Sequence, residues 1–268
     1  LDHNVLVRKA VGIETAGSLN ILFSDKTGTI TKGSLEVVRF FTPDGTEIPI
    51  DELKEHGKIR EMLDLAIGKN TGSMFDGEHR VVGGNATDQA LVRFLGEESF
   101  RRVTAEGTFR VGKSQGFNSA NKFSQAEIPE LGKVFYKGAP ERFLAVSKKG
   151  LDPDGNEKDL VLDVVNEKID GYASRAMRVL AFGYSVSPFR ESTIQDDVVL
   201  IGFAVIRDDV RQEAKEAIHE VQSAGIQVVM ITGDRLETAV SIAKDAGLIR
   251  SDTDRALTSA QLNTMSDE

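Results

Sequence analysis

At 268 residues with 40% hydrophobic side chains, the chain is long enough for one large domain or two ordinary ones, each with its own core. A net charge of -9 excludes a nucleic-acid face or an anionic-membrane patch, both of which need a basic surface, and the absence of cysteine excludes disulfides, thiolate metal sites and thiol nucleophiles. The longest apolar run, residues 198–206, is too short to span a bilayer, and the first residues do not read as a secretory leader.

Residues 1–18 are mixed and lead into the apolar run 19–23. A short apolar run ending in a carboxylate and followed at once by a glycine turn predicts a buried parallel strand that delivers Asp25 to its carboxyl-terminal lip, where open α/β sheets place their chemistry. A carboxylate there can attack phosphorus when a cation neutralises both partners and nearby donors hold the phosphoryl group. Lys26, Thr27 and the backbone of the Gly28 turn supply such donors. An acid two positions after the nucleophile would activate water and empty the phosphoenzyme. Thr27 only hydrogen-bonds, which predicts a long-lived, energy-storing intermediate. The plain alternative is an ordinary Asp-Lys-Thr-Gly turn after a strand.

After Thr31 the pattern alternates, as in Leu35-Glu36-Val37-Val38-Arg39-Phe40 before Pro43-Asp44-Gly45, so an antiparallel sheet begins. Ile59, Met62, Leu63 and Ala66 fall on one helix face, and Ala90, Leu91, Phe94 and Leu95 on another. Strands are expected at 133–136 and 179–184, with a loop at 152–156. From Val198 a parallel-sheet grammar returns. The run 198–206 reads as a buried strand, Ala214, Ala217, Ile218 and Val221 as a helix closed by Gly225, and 226–231 as another strand. Thr232-Gly233-Asp234 then opens a helix carrying Leu236, Ala239, Val240 and Ala243 that stops at Gly247. This order predicts a doubly wound α/β domain, residues 1–33 and 208–268, interrupted by an inserted α+β domain, residues 34–207. No internal repeat is found, and the polar tail 251–268 is expected to lack full order.

A hydroxyl and free backbone N–H groups between a strand and a helix start make Thr232, Gly233 and Asp234 an anion site, with a plain helix cap as the alternative. Asp208 and Arg211 read equally as a helix start and its solvated face. Gly107-Thr108-Phe109-Arg110-Val111-Gly112-Lys113-Ser114 satisfies the P-loop pattern literally, yet neither a core strand before it nor a helix after it is expected, so the match is assigned to chance. His3, His56, His79 and His219 lack ligand spacing and do not support zinc.

Asp25-Lys26-Thr27-Gly28-Thr29 with Ile30-Thr31 resembles the phosphorylation signature of the P-type cation-transporting ATPases. The resemblance implies a haloacid-dehalogenase-like doubly wound parallel sheet, the phosphorylation domain, interrupted by an α+β nucleotide-binding domain with an antiparallel sheet. Val5-Leu6-Val7-Arg8-Lys9 and Gly12-Ile13-Glu14-Thr15 resemble the segment leading from a membrane helix. Thr232-Gly233-Asp234 is similar to the family's second phosphate-contacting motif, and Asp208-Asp209-Val210-Arg211 to its hinge Asp-Pro-x-Arg, with Asp209 in place of proline. Phe117-Asn118-Ser119-Ala120-Asn121-Lys122 resembles the adenine-stacking segment, and Lys137-Gly138-Ala139-Pro140-Glu141 the nucleotide-pocket motif of the light-cation, calcium-pump-like group; heavy-metal pumps generally carry a His-Pro motif instead. Arg178 would reach phosphate, and Asp88 occupies the place of a glutamate near adenine, one methylene shorter.

By this resemblance ATP is held by Phe117, Lys122, Lys137, Gly138, Arg178 and Asp88, with Asp208, Arg211 and Asp234 contributing. Asp25 takes the γ-phosphoryl group with Mg²⁺ on Asp25 and Thr27, aided by Lys26, Thr232 and Gly233. The partners implied are the membrane helices and actuator domain of one full-length pump, the chain lying on the cytoplasmic face of a membrane. The family's later catalytic lysine and its Gly-Asp-Gly-x-Asn-Asp segment would follow residues 252–268, so a fragment that binds nucleotide with little turnover is expected. The alternatives are a soluble haloacid-dehalogenase-like phosphatase with a cap domain, against which Thr27 speaks, and a regulatory nucleotide-binding module.

Overall fold

The computed structural model describes residues 17–105, 107–175, 177–233, 236–251 and 253–265. They fall into two compact units, the smaller made of the residues up to Gly33 with those from Asp209 onward, the larger of Ser34–Asp208.

In the smaller unit β1 (Ile21–Asp25) pairs in parallel with β13 (Gln227–Ile231), Asp25 opposite Ile231. The helices of this unit, numbered in chain order with those of the larger unit, are α6 (Gln212–Ser223), α7 (Leu236–Asp245) and α8 (Ser259–Leu262). Ile30, Val210, Ile218, Ile242 and Ala246 form the core, with Val228 and Met230 of β13 against it. The expectation of a buried first strand is corrected here. Leu19, Ile21 and Leu22 are exposed and Phe23 is 62% exposed, because β1 pairs with β13 alone among the described residues and adds no side chain to the core cluster. The parallel sheet described in the smaller unit is this one strand pair. In the polar tail, α8 is a single exposed turn closed by reciprocal hydrogen bonds between Thr258 and Gln261.

The larger unit is a nine-stranded, mostly antiparallel sheet in the order β10-β9-β12-β11-β8-β7-β6, with β2 beside β12 and β3 beside β2. These strands are β2 (Thr31–Phe41), β3 (Glu47–Ile48), β6 (Ser114–Gln115), β7 (Phe123–Ile128), β8 (Lys133–Gly138), β9 (Lys149–Leu151), β10 (Glu157–Asp159), β11 (Arg178–Ser185) and β12 (Val199–Val210); β4 (Ser73–Phe75) and β5 (Val81–Gly83) form a separate hairpin. On one face lie α1 (Gly57–Gly68), α2 (Ala86–Leu95) and α3 (Glu97–Thr104), burying Leu63, Ile67, Leu91 and Phe100 against Phe135, Phe182 and Ile201. On the other, α4 (Pro140–Leu144) and α5 (Leu162–Ala173) set Phe143, Val165 and Tyr172 against Phe41, Tyr136 and Phe203.

The run 198–206 is therefore not the return of a parallel sheet. It opens β12, which runs antiparallel to β11 and is parallel to β9 over two residues only. Its unbroken apolarity has the same cause as in parallel sheets, cover on both faces. Val199 and Ile201 face one core while Leu200 faces the other, and a register shift opposite Phe182 and Gly183 resets the alternation so that Phe203 and Val205 join the second. Gly202 is required there, since a Cβ would lie 2.2 Å from the Phe40 ring. Among the helices not legible in the hydrophobic period, α3 buries only Phe100 and Val103, and α5 only Val165 and Tyr172. Among the described residues no helix is long and apolar enough to cross a membrane.

Candidate functional site

Two constellations emerge, one in each unit. In the smaller, the register that sets Asp25 opposite Ile231 brings Asp25 and the following Thr232-Gly233 out at the same end of the strand pair. Asp234, expected to complete that motif, lies outside the described residues. After Asp25 the chain turns through residues 26–30 with Gly28 at φ +77°, and Gly33 at φ +71° passes so close that a Cβ on it would meet the Gly28 Cα at 3.0 Å. Asp25 and Thr27 are exposed, whereas Lys26 is buried between them and its carbonyl accepts the Thr31 hydroxyl at 3.1 Å. The turn thus presents the carboxylate and the threonine, not the lysine.

Arg211 holds this turn. Its backbone N–H donates to Ile30 O at 2.9 Å, Nε to Thr31 O at 3.0 Å, and Nη2 to Gly28 O and Lys32 O at 3.3 and 3.4 Å. Sequence reading expected this guanidinium at a nucleotide. The structure spends it on carbonyl oxygens of the loop behind Asp25. Magnesium takes near-octahedral oxygen ligands. No group of three acidic or histidine side chains able to hold a metal exists among the described residues.

In the larger unit a cavity of about 940 Å³ opens on the face of the sheet that α2 covers. It is within the size range of small-molecule sites, roughly 300–1,000 Å³. All six ligand residues expected in this part of the chain line it: Asp88, Phe117, Lys122, Lys137, Gly138 and Arg178. Leu35, Leu180 and Ile206 add an apolar wall. Asp208, near the end of β12, does not line it.

Lys137, only 5% exposed, sits at the end of β8, and its ammonium donates to Asp88 Oδ1 at 2.5 Å. Burial pushes this lysine below its usual range, and the Asp88 carboxylate opposes that by favouring the charged form. Asp88 in turn stands in the first turn of α2, whose Asn85 cap accepts from the Asp88 N–H at 2.9 Å. On the rim, Lys122 at φ +61° closes a turn back to Asn118 O at 2.9 Å, leaving Phe117 53% exposed as a flat apolar platform, and Lys122 Nζ pairs with Glu141 at 3.0 Å.

Gly138 has a reason besides the one its motif suggested. A Cβ there would lie 2.4 Å from Lys122 O and 2.6 Å from Phe123 Cβ, so the glycine allows β7 and the Lys122 turn to close on β8. Ser124, which also lines the cavity, was not singled out by sequence reasoning. The alternation that pairs it with Lys137 across β7 and β8 is its only signal. The P-loop-like segment is preceded by helix α3 and followed by strand β6, the reverse of the order that chemistry needs, and Lys113 is not in the cavity wall.

Residues 58–213 match the profile of the family described as P-type ATPase, cytoplasmic domain N. Among curated proteins the chain is similar to a calcium-transporting ATPase of Listeria monocytogenes, 31% identical with 99% of this chain and 31% of that protein covered. It is 31% identical to calcium-transporting ATPase 1 of Saccharomyces cerevisiae, again over 99% and 31%. For a calcium-transporting ATPase of Bacillus subtilis the values are 30% identity, 100% and 33%. The chain spans about a third of the length of these relatives.

Proposed function

The chain belongs to the P-type ATPase family, and from that premise we propose that it is the ATP-binding and phosphoryl-accepting part of a cation pump. The larger unit is read as the nucleotide-binding domain and the smaller as part of a haloacid-dehalogenase-like phosphorylation domain. The observation that carries the reading is the convergence of Asp88, Phe117, Lys122, Lys137, Gly138 and Arg178, spread over 91 positions of sequence, on one cavity. The purine stacks on the Phe117 face, while Lys122, Lys137 and Arg178 supply the positive charge that a triphosphate needs.

In the smaller unit a carboxylate oxygen of Asp25 attacks the γ-phosphorus. The new O–P bond forms as the bond to the β,γ-bridging oxygen breaks, and ADP leaves with that electron pair. Thr27 holds the transferred group without activating water, and Thr232 with the Gly233 backbone bounds its other side. Such an acyl phosphate stores energy for transport by membrane helices of the full-length pump. The cargo proposed is calcium, by analogy with the printed names of the relatives.

Calorimetric ATP titration of the 268-residue chain tests this. Phe117→Ala is expected to weaken binding about tenfold, as loss of one base-stacking platform does. Lys137→Met is expected to abolish it, and Lys113→Ala to leave it unchanged. Loss of binding in Lys113→Ala alone would overturn the assignment.

A further inference from the structure

Ser124 lies opposite Lys137 in the register of β7 and β8, so strand alternation sets both side chains on the same face of the sheet, and both line the cavity. It is 2% exposed, yet its hydroxyl has no hydrogen-bond partner among the described residues. A buried polar atom left unpaired is costly, and native folds leave few of them unexplained. The other hydroxyls in the cavity wall differ in this respect: Ser119 is exposed and Thr87 half-buried, open to water. The neighbouring Lys137 ammonium only donates, and one Asp88 oxygen is already committed to it. Of the buried side-chain atoms left without a partner among the described residues, only the Ser124 oxygen belongs to the cavity wall.

We propose that Ser124 is a specificity-determining residue, its hydroxyl oxygen accepting a hydrogen bond from the exocyclic amino group of the adenine that stacks on Phe117. This rests on reading the cavity as the ATP site. A hydroxyl suits the task because it accepts from an amino group, whereas the ammonium beside it repels that donor. A purine lacking the 6-amino group leaves the hydroxyl as it stands without ligand, and so loses only this one interaction.

The test compares ATP with purine riboside 5′-triphosphate, which lacks the 6-amino group, by calorimetric titration of the 268-residue chain. The wild-type chain is expected to bind ATP about three- to tenfold tighter, the range of one net hydrogen bond. Ser124→Ala brings the ratio to one by weakening ATP while leaving the analogue unchanged, and Phe117→Ala weakens both alike. The thermal midpoint of Ser124→Ala is expected to equal or exceed that of the wild type, since an unpaired buried hydroxyl is removed; a structural hydroxyl would lower it. A ratio that survives Ser124→Ala, or one that falls only in Asp88→Asn, overturns the inference. If neither nucleotide binds the wild-type chain, the reading of the cavity fails and this inference falls with it.

Discussion

The two units keep their functional groups in place by different means. In the larger, a sheet covered on both faces surrounds its cavity-lining residues with aromatic and aliphatic packing, dense enough to hold Lys137 and Asp88 as a desolvated pair. In the smaller, five buried apolar residues form the core, the flank of β1 is exposed, and the loop behind Asp25 is held by hydrogen bonds from one arginine to four backbone carbonyls. The lesson is that a ligand cavity needs shape, which packing supplies. An exposed carboxylate at a strand end needs only a fixed exit, which register and a few directed hydrogen bonds supply.

The largest effect expected falls in the larger unit. Asp64 is fully buried between Arg60 on α1 and Arg102 on α3, at 2.6 and 2.5 Å. Asp64→Ala strands the largely buried Arg60, Arg102 being open to water, and is expected to cost roughly 3 kcal/mol. The chain has no tryptophan and three tyrosines, Tyr136, Tyr172 and Tyr184, all in the larger unit, so tyrosine fluorescence during urea unfolding reads that unit by itself. A midpoint unmoved by Asp64→Ala would mean that the ion cluster does not tie α1 to α3.

Next in size is Gly138→Ala, where the added methyl meets backbone and must displace the Lys122 turn. A loss of about 1–3 kcal/mol is expected, together with weaker ATP binding, because Phe117 and Lys122 ride on that turn. Unchanged affinity would separate the turn from the site.

Arg211→Ala sharpens the contrast from the other side. It leaves the carbonyls of Gly28, Thr31 and Lys32 without their donor and is expected to destabilise the smaller unit by about 1–2 kcal/mol. Hydrogen exchange at residues 26–32 should rise while ATP affinity stays within twofold. Lost affinity with unchanged exchange would return Arg211 to the nucleotide.

The smallest effect at neutral pH concerns the tyrosines themselves. Burial pushes Tyr136 and Tyr172 up to about 12, the Glu47 carboxylate adding to it at Tyr172, and Tyr184 beside Glu157 is raised as well. Their folded values lie above the unfolded one near 10, so the stabilisation they lend the larger unit is complete below pH 10 and is lost as pH rises through the folded values. Absorbance at 295 nm should show no ionisation step near pH 10, and the step should arrive together with unfolding. An early step at pH 10 would place a tyrosine in water.

Local pattern carried much of this architecture. The helix faces of Ile59, Leu63 and Ala66 and of Ala90, Leu91 and Leu95 appear as α1 and α2, and the apolar run before Asp25 becomes a parallel strand ending at that carboxylate. The six residues expected to hold a nucleotide within residues 34–207 were legible because each sits in a short motif that keeps its own local shape.

Tertiary structure alone decided what depends on a neighbour from elsewhere in the chain. The apolar run of β12 says that both faces are covered, but only the pairing with β11 makes it antiparallel. That Gly138 also lets Lys122 and Phe123 close on β8, and that Arg211 donates to the carbonyls of the Gly28 turn, shows only in the fold. Ser124 is unremarkable in Phe-Ser-Gln-Ala and becomes a buried, unpaired hydroxyl only when β7 lies down beside Lys137. Hydrophobic period and turn chemistry act over a few residues and can be read along the chain. Desolvation and hydrogen-bond satisfaction depend on contacts between distant segments, and those exist only after folding.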